Sequence, residues 1–302
     1  EQRDYISFKE YHDSIHGYLN DRNLDITEER VDEIICNRSG LLIKDSAMQC
    51  VYYSHRTFVE YFYARNLALN SILDVDNKAF NIAWMNIFYF YIGIKKDCKE
   101  YLLKLTDQSA GNESETLLKI LNLSSFYLAG INTPYIFFEK NMHKVFIEAA
   151  KMFLRVLENK NEPFFGSLPR FILLWWMQFL IKEYYGYRFF KKAIQNIALE
   201  IELSNSTEEE KIYALFFLGS TGLKLEEYEP LKYLFDKYKA SIPPDIILGL
   251  RFELKNQDFK ITEMKKNDKW LERKVKNMNP NLLESIQRRP INTIPGAAKT
   301  NS

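Results

Sequence analysis

Apolar residues recur every three or four positions along almost the whole chain, which is the spacing of a buried helix face. The first such series predicts a helix over residues 8–19. Thr27 is a favourable N-cap for a second helix, because Glu28 and Glu29 then occupy its first turn, where the positive end of the helix dipole stabilises them. Gly40 is suited to end that helix. The N-terminal part is therefore predicted to contain two short helices.

Two short apolar runs follow at residues 41–43 and 50–53, separated by a mostly polar turn, and they predict a β-hairpin. A third helix is predicted over residues 56–72. Thr57 and Glu60 have the spacing of a capping box at its start. Aromatic residues surround this helix, which predicts packing on more than one side. They are Phe58, Tyr61, Phe62 and Tyr63.

Helices followed by a hairpin are the order of a winged helix, a variant of the helix-turn-helix. From residue 74 onward only helical periodicity is found, interrupted by short turn signals. The predicted helices span residues 77–93, 96–106, 113–130, 136–158, 168–185, 187–203, 207–220, 225–240, 244–255, 258–275 and 281–288. Such a series predicts an antiparallel helical array. An irregular α-solenoid is the alternative, although the sequence has no fixed repeat period.

The predicted fold class is therefore mostly α, with two domains and a tail. A small winged-helix domain covers residues 1–73, and the helical array covers residues 74–288. Residues 289–302 are rich in proline and small side chains and are predicted to form a flexible tail.

Composition narrows the class of protein. The 302 residues carry 41 basic and 40 acidic side chains, so a net charge of +1 gives no electrostatic case for binding nucleic acid or anionic membranes. The basic cluster at residues 265–269 includes acidic neighbours and is interpreted as a solvated helix face. The apolar run over residues 171–181 is far shorter than a bilayer span, which favours a buried helix.

The termini and cysteines bear on location. Three widely spaced cysteines and the absence of a signal peptide predict a reducing compartment, the cytoplasm. The sequence does not begin with Met, and we expect it to be a fragment, a processed chain or a deliberately shortened form of a longer protein.

Motifs for catalysis are missing from the sequence, which contains no P-loop, no G-x-G-x-x-G and no G-x-S-x-G. His12 and His16 share a helix face but lack an evident third metal ligand, so a solvated face is favoured over a metal site. Cys50 and His55 are close in sequence, yet Cys50 falls in an apolar strand and is interpreted as a core thiol. The acidic run at residues 208–210 follows Thr207 and is explained by helix capping.

Residues 53–64 read Tyr-Ser-His-Arg-Thr-Phe-Val-Glu-Tyr-Phe-Tyr-Ala. This run resembles the F-x-H-[RK]-[ST]-F-x-E-[YF]-[YF]-x-A pattern that ends the winged-helix domain of NACHT-type STAND NTPases, the family of animal NOD-like receptors and bacterial antiphage relatives. Tyr53 stands where that family usually has Phe, and most fixed positions agree, including His55. The preceding helices and the Gly40-Leu41-Leu42 start of the hairpin also fit. The resemblance covers about residues 1–73.

In that family the winged-helix histidine contacts the phosphates of bound ADP and helps to hold the resting state, so the resemblance implies this role for His55. The alternative is that His55 only caps or packs the helix that follows it. ATP or ADP with Mg²⁺ would be bound by an NTPase domain upstream of Glu1, and this chain alone is not expected to be an enzyme. The resemblance also implies a helical sensor over residues 74–288. Its expected partners are a protein ligand or pathogen-derived trigger and further copies of the protein, in innate immunity or antiphage defence.

Two other functions are consistent with the residues alone. A helical scaffold without any nucleotide could bind protein partners through exposed aromatic side chains. Some of five aromatic side chains would form such a surface, although a place in the core is the favoured interpretation for them. They are Tyr184, Tyr185, Tyr187, Phe189 and Phe190. A DNA-binding winged helix ranks last, because the helix over residues 56–72 offers few basic or amide side chains amid its aromatics.

Overall fold

The computed structural model describes residues 5–95, 97–159, 161–254 and 262–281. The chain divides into two compact units. Unit 1 comprises Glu1–Leu73 and Asn86–Ile94, and unit 2 comprises Asp74–Met85 and Lys95–Ser302. Of the predicted helix over residues 281–288, only residue 281 is among the described residues. The predicted tail over residues 289–302 lies wholly outside them.

Unit 1 has the order strand, two helices, hairpin and helix. Its elements are β1 (Tyr5–Ser7), α1 (Phe8–Asp21), α2 (Glu28–Asp32), a π-helical turn (Glu33–Arg38), β2 (Leu42–Asp45), β3 (Cys50–Tyr53), α3 (Arg56–Asn70) and most of α4 (Met85–Ile94). The three strands form an antiparallel sheet in the order β1-β3-β2. The predicted hairpin is confirmed, and β1 is an addition that pairs Ile6 with Val51.

The core of unit 1 forms between α1 and the sheet. Tyr11, Ile15 and Leu19 lie on one face of α1 at helical spacing and pack with Val51 of β3. Ser7 and Glu10 form a capping box that begins α1. Gly40 adopts a positive φ of 60° between the π-helical turn and β2, a conformation that glycine adopts without strain. It therefore ends the second helical segment as predicted.

The regular elements in the described residues of unit 2 are all helical. Its helices are α5 (Lys99–Asp107), α6 (Glu113–Ala129), α7 (Ile136–Asn141), α8 (His143–Glu158), α9 (Arg170–Tyr185), α10 (Lys191–Asn196), α11 (Ala198–Leu203), α12 (Glu208–Lys224), α13 (Glu229–Tyr238), α14 (Pro244–Leu254) and α15 (Thr262–Lys276). With unit 1, this confirms the mostly α fold. None of the described helices combines the length and the apolar character needed to cross a bilayer.

Three predicted helices are interrupted. The segment over residues 77–93 is a 3₁₀ turn (Asn77–Phe80) followed by α4. The side chains of Asp76 and Asn81 each accept the backbone N–H two residues further on, and these bonds compete with the backbone hydrogen bonds of a continuous helix. The segment over residues 136–158 divides into α7 and α8. The segment over residues 187–203 divides into a 3₁₀ turn (Arg188–Phe190), α10 and α11.

Helix α12 lies at the centre of unit 2. Every residue from Ile212 to Leu223 is buried, and α12 packs against α8, α9 and α13. It begins with the expected cap: Thr207 Oγ1 accepts the Glu210 N–H and Glu210 accepts the Thr207 N–H. This confirms the structural interpretation of the acidic run at residues 208–210.

Gly222 near the end of α12 is expected to tolerate no side chain. A Cβ added there would lie 2.5 Å from the backbone oxygen of Glu227, whose N–H bonds to the Gly222 carbonyl. We expect Gly222→Ala to lower the free energy of unfolding by about 2 kcal/mol, because backbone atoms would have to move. Urea unfolding followed by circular dichroism measures this change.

Gly17 in α1 is the matched control. A Cβ at Gly17 meets nothing within 4 Å, and the residue is exposed in the helix interior. Gly17→Ala should therefore stabilise the chain by up to about 1 kcal/mol through helix propensity. Equal effects of the two substitutions would contradict the steric argument.

Candidate functional site

His55 lies at the junction between β3 and α3. It is the N-cap of α3, with an extended backbone, and its ring Nδ1 accepts the Thr57 N–H at 3.2 Å. The predicted capping box of Thr57 and Glu60 is therefore wrong: the helix begins two residues earlier than that pattern requires. The imidazole supplies the cap instead, because its acceptor nitrogen lies where a capping side-chain oxygen normally lies.

The cap determines which ring nitrogen of His55 carries the proton. A neutral imidazole has one donor and one acceptor nitrogen. Since Nδ1 accepts from Thr57, Nε2 is the protonated nitrogen. His55 is exposed, and no residue in the described ranges accepts a hydrogen bond from Nε2. The ring therefore offers a hydrogen-bond donor at the edge of unit 1.

Glu60 of α3 has a structural role close to this site. It is only 6% exposed, and it accepts from Arg56 Nε at 3.0 Å and from Asn86 Nδ2 at 2.8 Å. The second bond connects α3 to α4. Local spacing indicated Thr57 as the partner of Glu60, and nothing in the sequence indicates Asn86, 26 residues further along. The carboxylate thus stabilises the helix that His55 caps.

The aromatic side chains of α3 divide between interior and surface. Tyr53 stacks on Phe62 at 5.9 Å, and Tyr61 contacts both Phe62 and Phe90 of α4. Phe58 and Tyr63 are exposed, so the expectation that these aromatics pack the helix on several sides holds for only part of the set. Further apolar side chains along or just beyond this helix are also exposed: Val59, Leu69 and Ile72.

The histidines of α1 come together with a residue that sequence spacing did not indicate. His16 Nδ1 lies 2.7 Å from Glu28 Oε1, and His12 Nδ1 lies 3.7 Å from Glu28 Oε2. Both distances are within the range of an ion pair, and both histidines are exposed. Across the described ranges, no group of three or more His, Cys, Asp or Glu side chains is placed to hold a metal ion. Cys50 is buried in β3, as expected of a core thiol.

Helix α2, rather than α3, takes the place of the second helix of a helix-turn-helix, because it follows α1 across a short turn. With the π-helical turn it carries four acidic side chains, Glu28, Glu29, Asp32 and Glu33, against two basic ones, Arg30 and Arg38. Acidic side chains at this position repel DNA phosphates.

Three of the five aromatic side chains considered for a scaffold surface lie wholly or partly in the core, which is the placement favoured from the sequence. Tyr185 and Phe190 are fully buried, and Phe189 is half-buried against Tyr135 and Phe138. The others, Tyr184 and Tyr187, are exposed. Two side chains of the five remain for a partner.

Residues 125–295 match the family model of NACHT C-terminal helical domain 1, and this match covers more than half of the chain. The chain belongs to this family. No curated protein and no solved structure matches it. The predicted NACHT relationship is therefore confirmed.

The matched residues lie in a part of the chain whose sequence contains no recognisable family motif. The match begins within α6 and runs to residue 295, whereas the resemblance quoted above rests on residues 53–64. A NACHT C-terminal helical domain is a non-catalytic part of a NACHT-type signalling protein, and the family context implies an NTPase domain upstream. The two indications come from different parts of the chain and agree.

Proposed function

We propose that this chain is the regulatory part of a NACHT-type signalling ATPase, in which unit 1 is a nucleotide-dependent switch and the helices of unit 2 sense a ligand. The observation that carries the proposal is the geometry of His55. Its Nδ1 is held by the Thr57 N–H, which leaves Nε2–H as a donor for an acceptor outside the described residues. The family match supplies the context of an NTPase domain.

The chemistry of the switch follows from this donor. A phosphate oxygen of ADP, held with Mg²⁺ by the upstream NTPase domain, would accept from Nε2–H of His55. A hydrogen bond to a charged acceptor contributes about 1.5–3 kcal/mol, enough to bias a two-state equilibrium by roughly tenfold or more. Binding of a protein ligand or pathogen-derived trigger to unit 2 would favour the other state, and ATP-bound copies would then associate, in innate immunity or antiphage defence.

Substituting His55 tests the switch. In the intact protein, His55→Ala should weaken ADP retention by roughly tenfold or more, because the donor to the phosphate is lost. The measurement is the nucleotide content of the purified protein, determined by chromatography after denaturation.

A second substitution separates the two roles of His55. Asn is an excellent N-cap residue, so His55→Asn should keep the start of α3 but remove the ring donor. If His55→Asn retains ADP and only His55→Ala loses it, the histidine acts through helix capping. His16→Ala, an exposed histidine of the same unit, should leave nucleotide content unchanged. Unchanged ADP content in all three variants would contradict the proposed switch.

A further inference from the structure

A polar cleft of about 570 Å³ lies within unit 2. It is bounded by the end of α5 and the turn to α6, by one face of α8, and by the loop over residues 204–206 between α11 and α12. Its volume is that of a small-molecule site. Ala110 and Ile147 are the purely hydrocarbon side chains of its lining, so the cleft suits a polar ligand rather than an apolar one.

Charged side chains of α8 form a stripe along the cleft. Lys144, Glu148, Lys151 and Arg155 follow each other at intervals of three or four residues, so they lie on one helix face. They face a lining that also contains Lys119, Asp107 and Glu113.

Each carboxylate of the lining is paired with a cation. The three ion pairs are Lys144 with Asp107 at 2.8 Å, Lys119 with Glu148 at 2.9 Å and Arg155 with Glu113 at 2.7 Å. Lys151 has no ion-pair partner within the described ranges. The paired charges cancel, and the charged side chains of the lining therefore sum to one net positive charge. Burial lowers the pKa of His143, which keeps that lining residue neutral at pH 7.

Lys119 provides a second reason to expect an anion. Its side chain is almost fully buried, at 2% exposure, and it lines the cleft. An ammonium group has three N–H donors, and Glu148 accepts one of them. No other described residue accepts from Lys119. Because buried donors are nearly always hydrogen-bonded, an acceptor within the cleft would lower the free energy of this group.

We propose that this cleft binds a phosphate monoester carried on a polar body, such as a sugar phosphate. Lys151 and Lys119 would hold the phosphate, since its several oxygens can accept donors from different directions. The hydroxyl and amide groups of residues 204–206 would contact the polar body. That this cleft is the site where unit 2 senses its ligand rests on the proposed function. Binding of a phosphate monoester to the cleft can be tested by itself.

Calorimetric titration of the full 302-residue chain at constant ionic strength tests the cleft. The probes are ribose 5-phosphate, ribose and inorganic phosphate. We expect ribose 5-phosphate to bind, inorganic phosphate to bind more weakly and ribose to give no signal. Binding of inorganic phosphate as tight as that of ribose 5-phosphate would overturn the role of residues 204–206. No signal from either phosphate-bearing probe at millimolar concentration would overturn the site.

Two matched variants show whether binding occurs in the cleft. Lys151→Gln should raise the Kd for ribose 5-phosphate about tenfold, because the lining loses its one net positive charge. Lys104 on α5 is exposed and lies outside the lining, so Lys104→Gln makes the same charge change and should leave Kd unchanged. Equal weakening by both variants would mean non-specific attraction. Neither Lys151 nor Lys104 makes an ion pair within the described ranges, so neither substitution breaks one.

Failure here is distinguishable from failure of the proposed function. If the cleft binds no phosphate but His55→Ala in the intact protein loses ADP, the switch stands and the cleft assignment is wrong. If ribose 5-phosphate binds as expected while the His55 variants retain ADP, the cleft is a ligand site and the nucleotide switch is wrong.

Discussion

Replacing Asp245 with alanine is expected to lower the free energy of unfolding of unit 2 by about 3 kcal/mol. Asp245 of α14 is 1% exposed and pairs with Arg170 Nε of α9 at 2.8 Å. The Tyr213 hydroxyl of α12 donates to the same carboxylate, at 2.8 and 3.0 Å from its two oxygens. One buried carboxylate therefore connects three helices.

The size of the effect follows from what the substitution leaves behind. Burial, followed by the adjacent Asp245 carboxylate, raises the pKa of Tyr213, so its hydroxyl stays protonated and needs an acceptor. Without Asp245 that hydroxyl and the Arg170 guanidinium both lose their anionic partner. Arg170 also donates to the Tyr213 oxygen, and its side chain is about one-third exposed. Water can therefore reach the guanidinium, which keeps the loss at the lower end for a broken buried ion pair.

Asp236 supplies the control for Asp245. It lies exposed on α13, and its replacement by alanine should change the free energy of unfolding by less than about 0.5 kcal/mol. Urea unfolding of both variants and the parent, followed by circular dichroism, gives the comparison. A loss below about 1 kcal/mol for Asp245→Ala would show that the three-helix connection contributes little.

Replacing Phe153 with alanine is expected to cost about 4 kcal/mol. Phe153 of α8 is fully buried, and its ring centroid lies 4.8 Å from that of Tyr213 on α12. Removing the ring leaves a cavity between α8 and α12, the two helices at the centre of unit 2. The cost combines lost burial of apolar surface with the contacts that surrounding atoms lose.

Phe164 offers the same chemical change at the surface. It is 66% exposed in the segment before α9, so Phe164→Ala should have a small effect, within about 0.5 kcal/mol. Differential scanning calorimetry of the two variants and the parent, under the same conditions, measures how much each substitution lowers the stability. Similar transition temperatures for Phe153→Ala and Phe164→Ala would indicate that the α8–α12 interface relaxes to fill the cavity.

Elements with strong periodicity or turn chemistry were predictable from the sequence. The helix predicted over residues 113–130 is α6 (Glu113–Ala129), and the hairpin lies where two apolar runs flank a polar turn. Strand β1 was not predictable, because three residues carry no measurable alternation and the strand exists through pairing with β3. Local spacing thus reports elements that are stabilised locally, and it misses those stabilised by distant partners.

The candidate site was predictable only in part for the same reason. The sequence indicates His55 through its neighbours in residues 53–64. It leaves the N-cap of α3 open, because His55 stands at the junction between strand and helix while Thr57 and Glu60 have the spacing of a capping box. The cleft of unit 2 is not predictable from the sequence, because its walls come from three separated segments and no short motif spans them.

Helix α12 also matters before the chain has folded. From Ile212 to Leu223 it carries no charged residue, and the run Ile-Tyr-Ala-Leu-Phe-Phe-Leu at its start is strongly apolar. In an unfolded or newly synthesised chain this run is an aggregation-prone segment, because the helices that cover it have not yet assembled. The charges at residues 208–211 and at Lys224 flank it on both sides and act as gatekeepers. Truncations that remove α13 and the helices after it would therefore expose apolar side chains of α12, and the shortened chain would be prone to aggregate.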